Sequence, residues 1–211
     1  MGILFSYNRD FSNIKKLMSI SNAKKLTNIK DLEDLDPNKI ILPKVVLIVA
    51  ISQDGFLASN SKDSLNWVPK QDKLWFRKKT IKIGNLIIGK KTFNILPKKA
   101  LEKRTYWVFT HSVEHGHVAV LKENVFLVNM KAREFLKYLS KKNIKKVAIV
   151  GGQKIYDLFL SNKLVDEIYF SQVNVKLKQG IKFNVDVIKN NFRIKREFKF
   201  DWGVRYLYKK D

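Results

Sequence analysis

Asp72, Phe76 and Thr80 stand at i, i+4 and i+8, so on a helix they share one stripe. Asp72 is flanked by Lys70, Lys73, Arg77 and Lys78, yet it falls on the stripe that should face a sheet. A carboxylate on an apolar face suits proton chemistry or the binding of a protonated heterocycle. The plainer alternative is an exposed Asp beside a core Phe. Two glycine junctions offer a second chemistry. Gly89-Lys90-Lys91-Thr92 follows the apolar run Leu86-Ile-Ile88, and Gly151-Gly152-Gln153-Lys154 follows Val147-Ala-Ile-Val150. Glycine admits a ligand close to the backbone, and a helix start offers free N–H donors, which suits phosphate. Neither junction is GxGxxG or GxxxxGK[ST], so the Rossmann and P-loop fingerprints are absent. Each glycine alone reads as a turn residue rather than a ligand contact. Together they point to a pyrophosphate-bearing cofactor.

The elements that must position these residues alternate strand and helix from Val45 onward. Val45 to Ile51 is a continuous β-branched run typical of a strand buried on both faces. A polar loop spans 52–66, and Pro69 opens a helix expected to reach about Lys79. Strands follow at Leu86–Ile88, Tyr106–Phe109, Val125–Val128, Val147–Val150 and from Ile168 to about Val175. Helices are expected at Lys90–Ile95, Ala132–Lys142 and Gln153–Leu160, and the end reads as a hairpin, Phe192–Phe200 and Val204–Tyr208. This is an α/β pattern: a mostly parallel central sheet flanked by helices, with a C-terminal antiparallel hairpin. Residues 1–44 hold no clear strand. They read as an N-terminal extension and linker, weakly amphipathic from Ser12 to Ile29 and punctuated by Pro37 and Pro43. A helical appendage is favoured over a targeting segment or a tail, and residues 45–211 form the domain.

Composition narrows the function classes. The chain has 211 residues and a formal charge of +23, from 35 Lys and 7 Arg against 19 acidic residues. Lysine-dominated excess points less to base or phosphate reading than arginine would, so nucleic acid is not expected as a partner. The absence of Cys excludes disulfides and thiolate metal sites. With only His111, His115 and His117, no metal site is expected. No apolar run approaches the roughly 20 residues of a membrane span. A soluble, cytoplasmic protein is expected, monomeric or homodimeric, acting on a small molecule.

The motifs, taken in order, resemble those of dihydrofolate reductases. Trp67-x4-Asp72-x3-Phe76-x3-Thr80 has that family's spacing. Leu86 to Phe93 is similar to "IMGRxTF", Leu101 to Arg104 to "LPGR", Val147 to Tyr156 to "VIGGxxIY", and Val49 to Leu57 to the first strand and mobile loop. The resemblance covers Val45 to the C-terminus and implies NADPH-dependent reduction of 7,8-dihydrofolate. It implies catalytic roles for Asp72 and Trp67. It puts Ile48, Val49, Phe76, Val150 and Ser171 around the pterin, with Ser171 seconding Asp72, and Arg104 on the substrate's tail carboxylate. NADPH would lie along Ala50, Leu57, Gly89, Lys90, Lys91, Thr92, Thr110, His111, Gly151, Gly152, Gln153, Lys154, Ile155 and Tyr156. There are departures. Asn66 replaces the usual Pro before the Trp, the loop 58–67 is longer and more polar, and Lys176–Phe183 lacks a Gly-Asp pair. The segments Ser52–Leu57 and Gly180–Phe183 also resemble the reductase domain of the riboflavin-biosynthesis deaminase-reductase. That keeps a phosphoribosylaminopyrimidine open as substrate. A non-catalytic basic subunit with this fold is the third reading.

Overall fold

A computed structural model describes residues 26–28, 40–60, 63 and 65–210. In chain order these form β1 (Leu26–Asn28), β2 (Lys44–Ser52), β3 (Phe56–Ala58), α1 (Lys70–Ile83) and β4 (Asn85–Gly89). The short α2 (Lys90–Phe93), a 3-10 turn at Lys98–Leu101, β5 (Thr105–Phe109), β6 (His117–Lys122) and β7 (Val125–Asn129) follow. The chain continues through α3 (Ala132–Lys141), β8 (Lys146–Ile149), α4 (Gln153–Ser161), β9 (Glu167–Val173) and β10 (Ile181–Lys182). It closes with α5 (Asp186–Asn191), β11 (Phe192–Phe200) and β12 (Gly203–Lys210).

Ten strands make one sheet in the order β1-β6-β7-β5-β4-β8-β2-β9-β12-β11. From β7 to β9 all pairings are parallel, and both flanks turn antiparallel. The expected mixed sheet with its C-terminal hairpin is therefore what the chain forms. The two-residue period of each strand sorts its side chains between two cores. Leu47, Val49, Ile87, Trp107 and Phe170 pack with Phe135 of α3 and Phe159 of α4. Val46, Ile48, Leu86, Ile88 and Val108 face the other way, towards Trp75 and Phe76 of α1 and Phe93 of α2. The second face carries the site.

Four details differ from the sequence expectations. The segment before Lys44 contributes a strand: Leu26–Asn28 pairs antiparallel with β6. Three residues are too short to show a period, and an edge supplied from elsewhere in the chain decides their conformation. The rest of the proposed amphipathic stretch lies outside the described residues. Helix α1 runs one turn beyond Lys79, to Gly84 at φ +83, whose N–H closes on the Thr80 carbonyl. The strand β6 was not foreseen, nor was the small β3–β10 pair. That pair needs a glycine: at Gly180, φ +139, a Cβ would stand 2.0 Å from the Ala58 carbonyl oxygen.

The loop after β2 is tied to the 176–180 segment through Asp54. Its carboxylate accepts from the Ser52 hydroxyl at 2.6 Å and from the amides of Leu177 and Lys178 at 3.1 and 2.8 Å. The Ser52 hydroxyl first, then the two amides, hold the Asp54 carboxyl down to about 2 from its ordinary 3.8. A carboxylate depressed by folding adds stability above its unfolded pKa and loses it as pH falls through the folded value. The tie should therefore be complete at neutral pH and dissolve between 3.8 and about 2. Asp54→Ala is expected to abolish hydrogen-exchange protection at the Leu177 and Lys178 amides while the core strands stay protected. Unchanged protection there would refute the tie.

Candidate active site

Asp72 sits in the first turn of α1, where the helix dipole favours a negative charge. Its side chain is almost wholly buried, and two partners meet its Oδ1. The Ser171 hydroxyl donates at 2.7 Å, and Arg205 Nη2 donates at 2.5 Å. Arg205 Nε also donates to Ser171 Oγ at 3.1 Å, closing a buried triangle. Register explains the convergence. Ser171 on β9 and Arg205 on β12 are direct cross-strand partners, so both project onto the α1 face. Around Arg205 lies an aromatic cage: Trp75 is 3.8 Å from its guanidinium carbon, with Phe200 and Trp202 at 5.2 and 5.7 Å.

At the other end of the stripe, Thr80 Oγ1 accepts from Arg104 Nη1 at 3.0 Å. Eight residues of helix separate Asp72 from Thr80, about 12 Å of rise. Arg104 is 6% exposed, and no described carboxylate pairs with it. A buried guanidinium without a counter-ion is costly, so the position suits an incoming carboxylate or phosphate. Phe76 is half-buried between these two ends, and Ile48 packs in the same core. Val49 does not belong there. Its side chain points into the core on the opposite sheet face, because neighbours in a strand alternate. Ala50 lies beside Ser171 in the parallel register. The Ile48 carbonyl accepts from the Tyr156 hydroxyl at 2.9 Å, and burial pushes that phenol well above its ordinary range. Tyr156 is therefore a neutral donor at neutral pH.

Trp67 closes the loop side. Its indole Nε1 is buried without a hydrogen-bond partner; Asp63 is near, but no bond between them meets the geometry. A buried donor with at best a weak partner suits a ligand or an ordered water. Asp63 instead folds its own loop, accepting from the Ser59 amide and hydroxyl and from the Leu65 amide. Partial burial pushes this carboxyl up, but those donors outweigh it and keep it below 3.8.

The glycine junctions meet at the C-terminal ends of β4 and β8, where the Gly89 amide donates to the Gly151 carbonyl at 2.8 Å. Gly152 and Gly89 both pack so closely on neighbouring side chains that a larger residue would clash. A Cβ on Gly152 would stand 2.7 Å from Thr92 Oγ1, and one on Gly89 would stand 3.1 Å from Ile155. The Gly151–Gly152 peptide is cis. The first amides of α4, at Gln153 and Lys154, lack intrahelical partners. Free amides at a helix start are groups that could hold a phosphate. Beyond this glycine cradle, Lys90 Nζ bonds the Ser112 hydroxyl, which lies 2.9 Å from Thr110 Oγ1. Lys91, His111 and Lys154 are exposed at its rim, and Leu57 packs half-buried on the α3–α4 core.

Sequence reasoning missed Ser112 and Arg205. Ser112 carried no signal beyond adjacency to His111. Arg205 did carry one: it occupies the buried phase of β12 between Gly203 and Leu207, where an apolar residue is the norm. Asp72, Phe76 and Thr80 do share one stripe, and Arg104 meets its far end through Thr80. The groove of about 440 Å³ on the neighbouring stripe, lined by Gln71, Trp75, Lys79, Tyr169, Arg205 and the hairpin aromatics, holds neither Asp72 nor Arg104.

The sheet order, the buried carboxylate under α1 and the paired glycine junctions define a dihydrofolate-reductase-like fold. The family model of dihydrofolate reductase matches residues 44–203, and the chain belongs to that family. The dihydrofolate reductase of Mycoplasma genitalium is 28% identical over 166 residues, covering 79% of this chain and 98% of the relative. Among solved structures, a dihydrofolate reductase from Enterococcus faecalis complexed with NADP(H) and RAB-propyl superposes with a TM-score of 0.61 at 20% identity. It covers 80% of this chain and 96% of that one. A Thermotoga maritima diaminohydroxyphosphoribosylaminopyrimidine deaminase and 5-amino-6-(5-phosphoribosylamino)uracil reductase gives a TM-score of 0.63 at 17% identity, over 81% of this chain and 57% of that one. At those identities the structural likeness is one of fold alone. No described helix is long and apolar enough to cross a membrane.

The Asp72–Arg205 pair predicts an asymmetric stability effect. Asp72→Ala strands a buried guanidinium and should cost about 3–5 kcal/mol in urea unfolding. Combining Asp72→Leu with Arg205→Met removes both charges and should recover most of that loss. Equal destabilisation of the single and double variants would refute a buried, compensated pair.

Proposed function

We propose that the chain is an NADPH-dependent reductase of 7,8-dihydrofolate. One observation carries the reading: a buried carboxylate, Asp72, at one end of a helix stripe and a buried guanidinium, Arg104, bonded to Thr80 at the other. A carboxylate recognises the amino group and ring N–H of a pterin. A guanidinium at the far end recognises a carboxylate, and its planar fork makes that contact bidentate. Family membership supports the chemistry. So does the glycine cradle, whose dimensions exclude side chains and leave helix amides for phosphate.

NADPH, when bound, supplies a hydride. The residues suited to hold it are Gly151, Gly152, Gln153 and Lys154 at the pyrophosphate, and Lys90, Thr110 and Ser112 towards an anionic adenosine end. What the chain itself does is position and exclude water. Asp72 anchors the heterocycle through Oδ2, with Ser171 fixing its carboxylate plane. Phe76 and Ile48 supply apolar walls, and Trp67 offers its unsatisfied N–H at the loop side. Arg104 fixes the tail. The positive surface favours every ligand concerned, since dihydrofolate, NADPH and sugar phosphates are all anions.

The deciding experiment follows NADPH oxidation with 7,8-dihydrofolate and with the phosphoribosylaminopyrimidine, side by side. Turnover of dihydrofolate is expected; turnover of the pyrimidine alone would move the assignment to the riboflavin-type reductase. Salt-sensitive RNA binding with neither NADPH affinity nor turnover would favour a non-catalytic subunit. Asp72→Asn should lower kcat/KM by roughly 10²–10⁴ while NADPH binding persists. Arg104→Lys should raise KM for dihydrofolate roughly tenfold or more with kcat little changed, since it removes binding remote from the reacting carbon. Unaltered kinetics in either variant would remove that residue from the assignment.

A further inference from the structure

The Asp72 carboxylate has one oxygen already committed. Oδ1 accepts from both Ser171 Oγ and Arg205 Nη2, which uses both in-plane acceptor positions of that atom. Only Oδ2 is left to face a ligand. Arg205 also sets its full charge against the carboxylate. It cannot swing away cheaply, because its guanidinium stacks on Trp75 at 3.8 Å, stays bonded to Ser171 and is buried with the residue 5% exposed. The same arginine that makes Asp72 tolerable in the interior alters what Asp72 can recognise.

We propose that Arg205 is a specificity-determining residue, acting through Asp72. It turns the carboxylate into a charge-compensated anchor with one open acceptor, which disfavours cationic planar amidines relative to neutral ones. An amidinium edge presents two parallel N–H donors and a positive charge, and it binds best to a carboxylate with both oxygens open and no other cation nearby. Here the second donor meets a saturated oxygen, and the ligand's charge meets a guanidinium. A neutral 2-amino-4-oxo ring loses only the geometric part of that match. The proposal rests on the Asp72 stripe being a pterin site. It concerns Arg205 alone, which the dihydrofolate reading does not use.

The test uses two near-isosteric probes at mildly acidic pH: 2,4-diamino-6,7-dimethylpteridine as the cation and 2-amino-4-oxo-6,7-dimethylpteridine as the neutral ring. Binding to the full chain saturated with NADPH is read by quenching of tryptophan fluorescence. The wild type is expected to bind the neutral probe as tightly as the cation or more tightly. In Arg205→Met the cation should gain about tenfold or more, while the neutral probe shifts by less than about threefold. Arg205→Lys keeps the charge and should restore the wild-type ratio. A general packing defect would move both probes together, so the ratio separates specificity from structure. A wild-type preference of about tenfold or more for the cation would overturn the proposal, even were Arg205→Met unable to fold. An unchanged ratio in a folded Arg205→Met would overturn it as well. If neither probe binds wild type or variant although NADPH does, the pterin reading fails and this proposal with it.

Discussion

A carboxylate removed from water must be compensated where it stands, and Asp72 is nearly inaccessible. Three separate parts of the chain answer that requirement. The first turn of α1 supplies its dipole, β9 supplies the Ser171 hydroxyl, and β12 supplies the Arg205 guanidinium. Each brings its own demands. Arg205 needs Ser171 directly opposite it, which fixes the β9–β12 register, and it needs aromatic faces to lie between. Phe200 and Trp202, stacked 4.6 Å apart at the hairpin turn, meet that need together with Trp75. Gly203 lets the turn approach β9, since a Cβ there would stand 2.1 Å from the Gln172 carbonyl oxygen. The hairpin is therefore part of the site and not a peripheral addition.

The paired glycine junctions obey a different constraint. Parallel strands deliver the C-terminal ends of β4 and β8 side by side, and each runs directly into a helix start. Backbone amides are the groups exposed there, and glycines let the two junctions approach each other closely. This pole tolerates no bulk, whereas the Asp72 pole tolerates no uncompensated charge. Tyr156 links them: it rises from α4 beside the cradle and donates to Ile48 on the strand under the stripe.

The charge of +23 takes on a more specific meaning in this setting. Two arginines, Arg104 and Arg205, are buried and have assignable contacts at the two ends of α1. Other cations have structural work. Lys44 and Lys209 both reach Glu167, and Lys44 chiefly overcomes the burial of that carboxyl and holds it below its ordinary 4.5. On the exposed edge strand β11, Arg193, Lys195 and Lys199 alternate with Phe192, Ile194 and Phe198, the charged pattern that discourages edge-to-edge association. Lysine-rich composition gives the chain a broadly positive field.

How much of this was legible in the sequence follows from the range of each interaction. The Val45–Ile51 run, the glycines after Ile88 and Val150 and the i, i+4, i+8 stripe are local patterns. Helix and strand geometry alone translated them into a parallel sheet, a cradle and a face. The family motifs preserved that local order, so Asp72, Arg104 and the two glycine junctions could be read together. Strand β1 and the 440 Å³ groove were not legible, since each exists only where distant segments meet. The Val49 side chain lies on the face opposite Ile48, because neighbours in a strand alternate. Arg205 stands 133 residues from Asp72, and only the register of β12 on β9 brings them within 2.5 Å. The sequence by itself determined which groups could bind a heterocycle and a phosphate. The tertiary structure decided how many acceptor positions Asp72 keeps open, because burial forces a charge to find its partner wherever the chain happens to return.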